Sequence, residues 1–243
     1  VTDGPYGFSL SGTMDAFLIR LDGDAYDTSF VAYLGGSGTE TGWATSFDRD
    51  SGDLWVAGRT TSADFPGTGG SGTALTGAND IFLAKFNVDN TGAISAVNSR
   101  YYSNVGDGMV YIDMVVGTGG NVFVSGANTG IGFTSYIPAA PGGGVDGFLT
   151  KLDSSGVIQW ERRVGSTAGD SMGKIDVDSA GNALVCGSFF VAGTQDTATA
   201  PAPVFHTTAG VYPEGRAMRN GDIFVVKLNP SGTAVFASLL GGS

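Results

Sequence analysis

Apolar residues along this chain come in short, strand-length runs bounded by glycine, asparagine, aspartate and serine, with period-two alternation inside many of them. That pattern predicts β-strands rather than helices. One run recurs four times: DAFLIRLD from Asp15, DIFLAKFN from Asp80, DGFLTKLD from Asp146 and DIFVVKLN from Asp222, with starts 65, 66 and 76 residues apart. Phe17, Phe82, Phe148 and Phe224 align, followed four positions later by Leu21, Phe86, Leu152 and Leu228. These share one face of a strand, with Arg20, Lys85, Lys151 and Lys227 on the other.

A second block lies between the octads: WATSFDRDSGDLWVAG from Trp43, VYIDMVVGTGGNVFVSG from Val110 and MGKIDVDSAGNALVCG from Met172. Each is two apolar runs split at Gly52-Asp53, Gly120-Asn121 or Gly181-Asn182, residues that tolerate positive φ, so each predicts a β-hairpin. After each octad a polar turn, such as DSSG at 153–156 or NPSG at 229–232, leads into one more strand. Four short strands in about 65 residues is the unit of a β-propeller blade. A parallel β-helix wants far shorter coils and tandem sandwiches need about seven strands per domain, so both fit less well. Repetition has an energetic reason, since a small sheet covers both its faces only between neighbours.

Composition agrees with this fold class. There are 41 glycines, aromatic residues make up 11% and the apolar fraction is 42%, which suits many strands joined by tight turns. The formal charge of −11 argues against a nucleic-acid partner, which needs clustered Lys and Arg. No apolar run approaches the ~20 residues of a helical membrane span, and no signal-peptide pattern opens the chain. The one cysteine, Cys186, sits in the run NALVCGSFF and is expected to be a buried small residue.

The octad, followed by YLGG (Tyr33 to Gly36), a hairpin with an S-G-[ND] turn and TTSADFP (Thr60 to Pro66), resembles the SBBP family of bacterial-type β-propeller repeats. The first copy matches best; the second reads YYSNVG in place of the LGG ending and the third ends RRVG. The resemblance implies a propeller fold and an extracellular or cell-surface setting. It carries over no catalytic residue, because none belongs to the repeat motif.

With the hairpin as strands A and B, the octad as C and the following strand as D, the chain holds about three and a half blades. These are a C–D half blade over 1–36 and blades over 37–105, 106–165 and 166–243. The expectation is a partial β-propeller within a longer chain, its remaining blades supplied by the same polypeptide or by other protein chains. A four-bladed ring completed by another segment is the alternative.

Topology places the A–B and C–D turns at one end of each blade and the B–C loops and D–A connections at the other. The turns are alike in every copy, whereas the B–C loops run to 21, 19 and 34 residues (59–79, 127–145 and 188–221). Variable loops on a fixed frame are where recognition is expected. Acids gather at the same end: Asp15, Asp80, Asp146 and Asp222 open the C strands, and Glu40, Asp107 and Asp170 lie in the D–A connections. Their carboxylates suit calcium, the one cofactor considered, but one acid per blade spread around a ring does not supply six to eight oxygens at a point. The leading expectation is therefore that each aspartate caps a loop by accepting backbone N–H bonds, with no cofactor.

DRDSGD, from Asp48 to Asp53, resembles the opening of an EF-hand loop but lacks the Glu at its twelfth position, so a turn is expected. Phe65, Phe133, Tyr136, Phe205, His206 and Tyr212 fall in the B–C loops. They are candidates for an interaction face that meets a partner or a surface glycan, but the leading expectation is that these aromatic rings fold back over the blade ends. Trp43, Trp55 and Trp160 lie in strands and read as packing. His206 has no nucleophile context. Three functions follow, in order: a non-enzymatic structural or adhesive module at the cell surface, a carbohydrate-active enzyme using two of the acids, and a calcium-dependent binding module.

Overall fold

In the computed structural model, which describes residues 11–21, 28–66, 75, 77–89, 94–102, 111–128, 136–137, 145–164, 169–189 and 222–240, the short apolar runs form strands and no α-helix is present among the described residues. β1 (Ala16–Leu21) and β2 (Thr28–Leu34) form an antiparallel pair. β3 (Glu40–Phe47), β4 (Leu54–Thr60), β5 (Asp80–Val88) and β6 (Ile94–Tyr102) form a four-stranded sheet in chain order. In the next sheet β7 (Tyr111–Val116), β8 (Val122–Asn128), β10 (Asp146–Leu152) and β11 (Ile158–Val164) repeat the arrangement, and β9 (Tyr136–Ile137) adds a short parallel fifth strand beside β11. β12 (Asp170–Val177), β13 (Ala183–Phe189), β14 (Ile223–Leu228) and β15 (Ala234–Leu240) form the last. The protein is all-β, and these sheets are antiparallel propeller blades, about three and a half of them. Strand β9 inside a B–C loop has no counterpart in the repeat pattern.

The octads are the C strands β1, β5, β10 and β14. Each pairs with its D strand through a register shift at the same place, just after Arg20, Lys85, Lys151 or Lys227. In the three full sheets the octad phenylalanine lies opposite a B-strand glycine: Gly58 faces Phe82, Gly126 faces Phe148 and Gly187 faces Phe224. The reason is spatial, since a Cβ on Gly58 would sit 2.6 Å from the Phe82 ring. The final glycine of VAG, VSG and VCG therefore makes the slot that the octad ring fills.

Two compact units divide the chain, Val1–Asp107 and Gly108–Ser243. In the first, Ala16, Leu18, Ala32 and Leu34 on one face of the β1–β2 pair pack against Leu54, Val56, Phe82, Phe86 and Tyr101 of the next sheet. In the second, Phe123, Leu149 and Val164 pack against Met172, Ile175, Val185, Phe224, Val226 and Leu228. The rule is the same in both: the face opposite the octad phenylalanine of one sheet meets the phenylalanine face of the next.

The turn end is scaffold. Asp48 Oδ1 accepts from the Asp50 and Ser51 amides, and Gly52 takes φ +78°, so DRDSGD is a turn. The octad lysines brace this end: Lys85 pairs with Asp53 at 2.8 Å and Lys227 with Asp178 at 2.9 Å. Burial alone would raise the Asp53 pKa, but bonds from Lys85, Asn87 and Ser51 together hold it below the ordinary value. Trp55 is fully buried, and Trp160 donates its indole N–H to Pro230 O at 2.9 Å. Cys186 corrects the expectation of burial: it is half-buried on the outer face of β13, because period-two alternation puts Val185 and Gly187, not Cys186, on the packed face.

Candidate functional site

The acids at the loop end do not stand singly around the blades; in both units they meet in pairs across neighbouring sheets. Asp15 immediately precedes β1 and Glu40 is the first residue of β3. Glu40 N donates to Met14 O at 2.6 Å, joining the two elements, and both carboxylates converge on Gly35, where a Cβ would lie 2.5 Å from each. A side chain at that point of YLGG would press on both carboxylates, which ties the motif to the acid pair. Asp15 Oδ2 accepts from the Ser11 amide at 2.9 Å and Oδ1 from the Gly12 amide at 3.3 Å. Glu40 Oε1 accepts from the Thr60 and Ser62 hydroxyls at 2.6 and 2.5 Å, and Oε2 from the Gly36 amide at 3.0 Å. Thr60 and Ser62 belong to TTSADFP, so this stretch supplies donors to the acid of the D–A connection. Asp64 of the same stretch accepts from the Ser37 amide and hydroxyl, and those bonds hold its pKa below the ordinary value.

The second unit repeats the backbone of this latch with different chemistry. Asp170 N donates to Val145 O at 2.5 Å, as Glu40 does to Met14. Asp146, wholly buried, is ion-paired with Arg163, and the Asp170 carboxyl lies near enough to act on its charge. Burial pushes Asp146 up, the Arg163 charge pulls it down and the Asp170 carboxyl pushes it up again, leaving it at about 6. Arg163 occupies the position opposite Phe148 that Tyr33 takes opposite Phe17 and Tyr101 opposite Phe82. Sequence reasoning passed over Arg163 as a partner, although the departure RRVG was its signal.

Loop capping thus describes Asp15, and a buried, ion-paired carboxyl describes Asp146. Asp80 is fully buried opposite Thr60, and Asp222 is buried before β14. Asp107 lies outside the described residues. No group of three or more His, Cys, Asp or Glu side chains converges among the described residues.

Of the aromatic candidates, Phe65 folds back into the core, as the leading expectation has it, and is not part of an interaction face. Its ring stacks on Phe82 with centroids 4.6 Å apart, and its amide donates to the Tyr101 hydroxyl at 2.9 Å, which itself donates to Ser62 O. A ring that reaches back over the open end of a sheet buries more apolar surface than one left in water. Tyr136 lies in β9. Phe133, Phe205, His206 and Tyr212 lie outside the described residues.

A cavity of about 430 Å³ opens in the first unit between β1 and β3, lined by Met14, Asp15, Phe17, Glu40, Trp43 and Val56 among others. In the second unit the matching A strand, β12, packs against β7 and β8 as well as β10. The cavity therefore lies where, among the described residues, no A–B hairpin accompanies the first pair of strands. Beside it, Phe17, Ile19 and Leu21 of β1 are exposed, although the same octad positions are buried in β5 and β10.

No family model matches the chain, and no curated protein matches it.

Proposed function

We propose that this chain is a non-enzymatic β-propeller segment of SBBP type, working outside the cell or at its surface as a structural or adhesive interaction module. The observation that carries this reading is the distribution of exposed large apolar side chains. Phe17, Ile19 and Leu21 crowd one face of β1, and Leu184, Ile223 and Leu240 the outer face of the last sheet. Apolar sheet faces open to water mark surfaces for association. The described acids favour the same reading: Asp15 and Glu40 are occupied by loop amides and hydroxyls, and Asp146 is buried against Arg163.

Beads coated with the protein test this. They are expected to clump or to adhere to surface preparations of the source cells, to lose adhesion with the double variant Phe17→Glu/Ile223→Glu, and to release no product from a polysaccharide panel. Turnover of any glycan that Asp146→Asn abolishes overturns the reading.

A further inference from the structure

Two neighbouring sheets meet inside the second unit, and the two ends of their junction are held by different chemistry. Between the ends the contact is apolar, with Leu149 and Val164 against Met172, Ile175, Phe224 and Leu228. At the turn end the β7–β11 sheet clasps the C–D turn of the last sheet. Trp160 donates its indole N–H to Pro230 O at 2.9 Å, Lys151 Nζ reaches the same oxygen at 3.2 Å, and Arg162 Nε donates to Gly232 O at 2.7 Å. The Arg162 guanidinium lies over the Trp160 ring, 5.5 Å from its centroid. The acceptors are main-chain carbonyls, so no carboxyl takes part in these bonds.

The loop end is held by charge. Asp146, Arg163 and Asp170 are all buried and come from β10, β11 and β12, so two carboxyls and one guanidinium straddle the junction. Asp146 is ion-paired with Arg163, and the Asp170 amide crosses between the sheets to Val145 O at 2.5 Å. Burial at this position comes with the junction itself: Asp15, at the same octad position, is buried although Phe17, two residues on, is mostly exposed. The charged groups that act on Asp146 are Arg163 and Asp170. Of the other elements packed here, β8 places the uncharged Asn128 opposite Asp146, Glu161 lies two residues away from Arg163 along β11, opposite Thr150, and Lys174 of β12 pairs with Asp113 of β7 at 3.1 Å.

We propose that this loop-end cluster is a proton-operated latch, which holds the two sheets closed while Asp146 carries its proton and lets that end part, about the turn-end clasp, once the proton is lost. With Asp146 protonated, one carboxylate stands against one guanidinium and the charges balance. With Asp146 ionised, two carboxylates face one guanidinium away from water, and opening to water relieves the cost of the surplus charge. Burial and the Asp170 charge raise the Asp146 pKa while Arg163 lowers it, to about 6, so the closed state is favoured at low pH and loses that support as pH rises through this value. The first unit lacks the device, because Asp15 and Glu40 accept from the neutral amides of Ser11, Gly12 and Gly36 and the hydroxyls of Thr60 and Ser62.

Hydrogen exchange followed by NMR on the whole chain tests this, with each rate divided by the intrinsic rate at the same pH. The Asp170 amide and the Glu40 amide, which donates to Met14 O, report the loop ends of the two units, and the Trp160 indole N–H reports the clasp. Between pH 5 and pH 8 the protection of the Asp170 amide is expected to fall about tenfold, as linkage requires of a carboxyl with pKa 3.8 when open and about 6 when closed. The Glu40 amide and the Trp160 indole are expected to keep the protection they have at pH 5.

Asp146→Asn and Asp170→Asn each leave one carboxyl beside Arg163, so in each the amide of residue 170 is expected to be equally protected at pH 5 and pH 8. Either variant serves should the other fail to fold. A wild-type Asp170 amide indifferent to pH overturns the proposal, as does a fall in protection that persists in the variants. An equal fall at the Trp160 indole means that the sheets separate at both ends, and an equal fall at Glu40 that the cause lies outside the cluster; either result also overturns it.

Discussion

The two units write the same repeat in different company. Phe17 and Phe224 hold the same place in the octad, yet the first is mostly exposed and the second fully buried. What differs is the surroundings: β14 has β13 on its B side, with Gly187 opposite Phe224, and the face bearing Leu149 and Val164 packed over it, whereas among the described residues β1 pairs with β2 alone. A strand's face is thus core or surface according to its neighbours, and the octad merely supplies the apolar side. The acid latches differ in the same manner. Their backbone link is shared, but the first unit satisfies its carboxylates with amides and hydroxyls, whereas in the second Asp146 is paired with an arginine.

Truncating the octad ring breaks the first contrast most directly. Phe224→Ala is expected to cost about 3–5 kcal/mol in urea unfolding, as for a large buried aromatic. Phe17→Ala, already in water, is expected to change stability by less than about 0.5 kcal/mol at concentrations where the protein is monomeric. Equal losses would mean that the two rings share one environment.

The second latch has its own signature in pH. A carboxyl whose folded pKa is raised from 3.8 to about 6 binds its proton more tightly when folded. It therefore favours the folded state at low pH and loses that contribution as pH climbs from about 4 through 6. The amount is about 2–3 kcal/mol for a shift of that size. Asp146→Asn, which cannot ionise, is expected to match the wild type near pH 4 and exceed it by this margin near pH 8. Unfolding curves of both proteins across that range are the measurement, and parallel curves would refute the raised carboxyl.

The first latch is expected to show a smaller effect. Thr60→Val removes a hydroxyl that donates to Glu40 at 2.6 Å and accepts from the Ser62 amide, at a cost of about 1–2 kcal/mol. Between pH 5 and 8 that loss should stay constant, because the donors involved do not titrate there. A loss confined to one end of the range would place the two latches in one class.

Much of the frame was legible because its causes are local. Period-two alternation, the Gly-Asn and Ser-Gly turns and the fourfold octad specify strands and hairpins within a few residues of themselves, and the structure has them at Gly52, Gly156, Gly181 and Gly232. The site was legible only in part. Asp15 as a loop cap follows from a short side chain near free amides, whereas the pairing of Asp15 with Glu40 and of Asp146 with Asp170 joins residues about 25 apart on different sheets. For Phe65 folding back was the leading expectation, and its partner Phe82 came only from the structure, since a loop aromatic does not name the ring it turns back on.

By itself, then, the sequence determined the strands, their turns, the order A–B–C–D and the apolar side of each octad, all of which depend on short-range backbone preference and side-chain alternation. Only the tertiary structure decided which apolar sides became core, that Arg163 pairs with Asp146, and that Asp15 meets Glu40. Those outcomes depend on what stands across the gap between sheets, where burial, charge and the room left by Gly35 or Gly58 are set by residues distant in the chain.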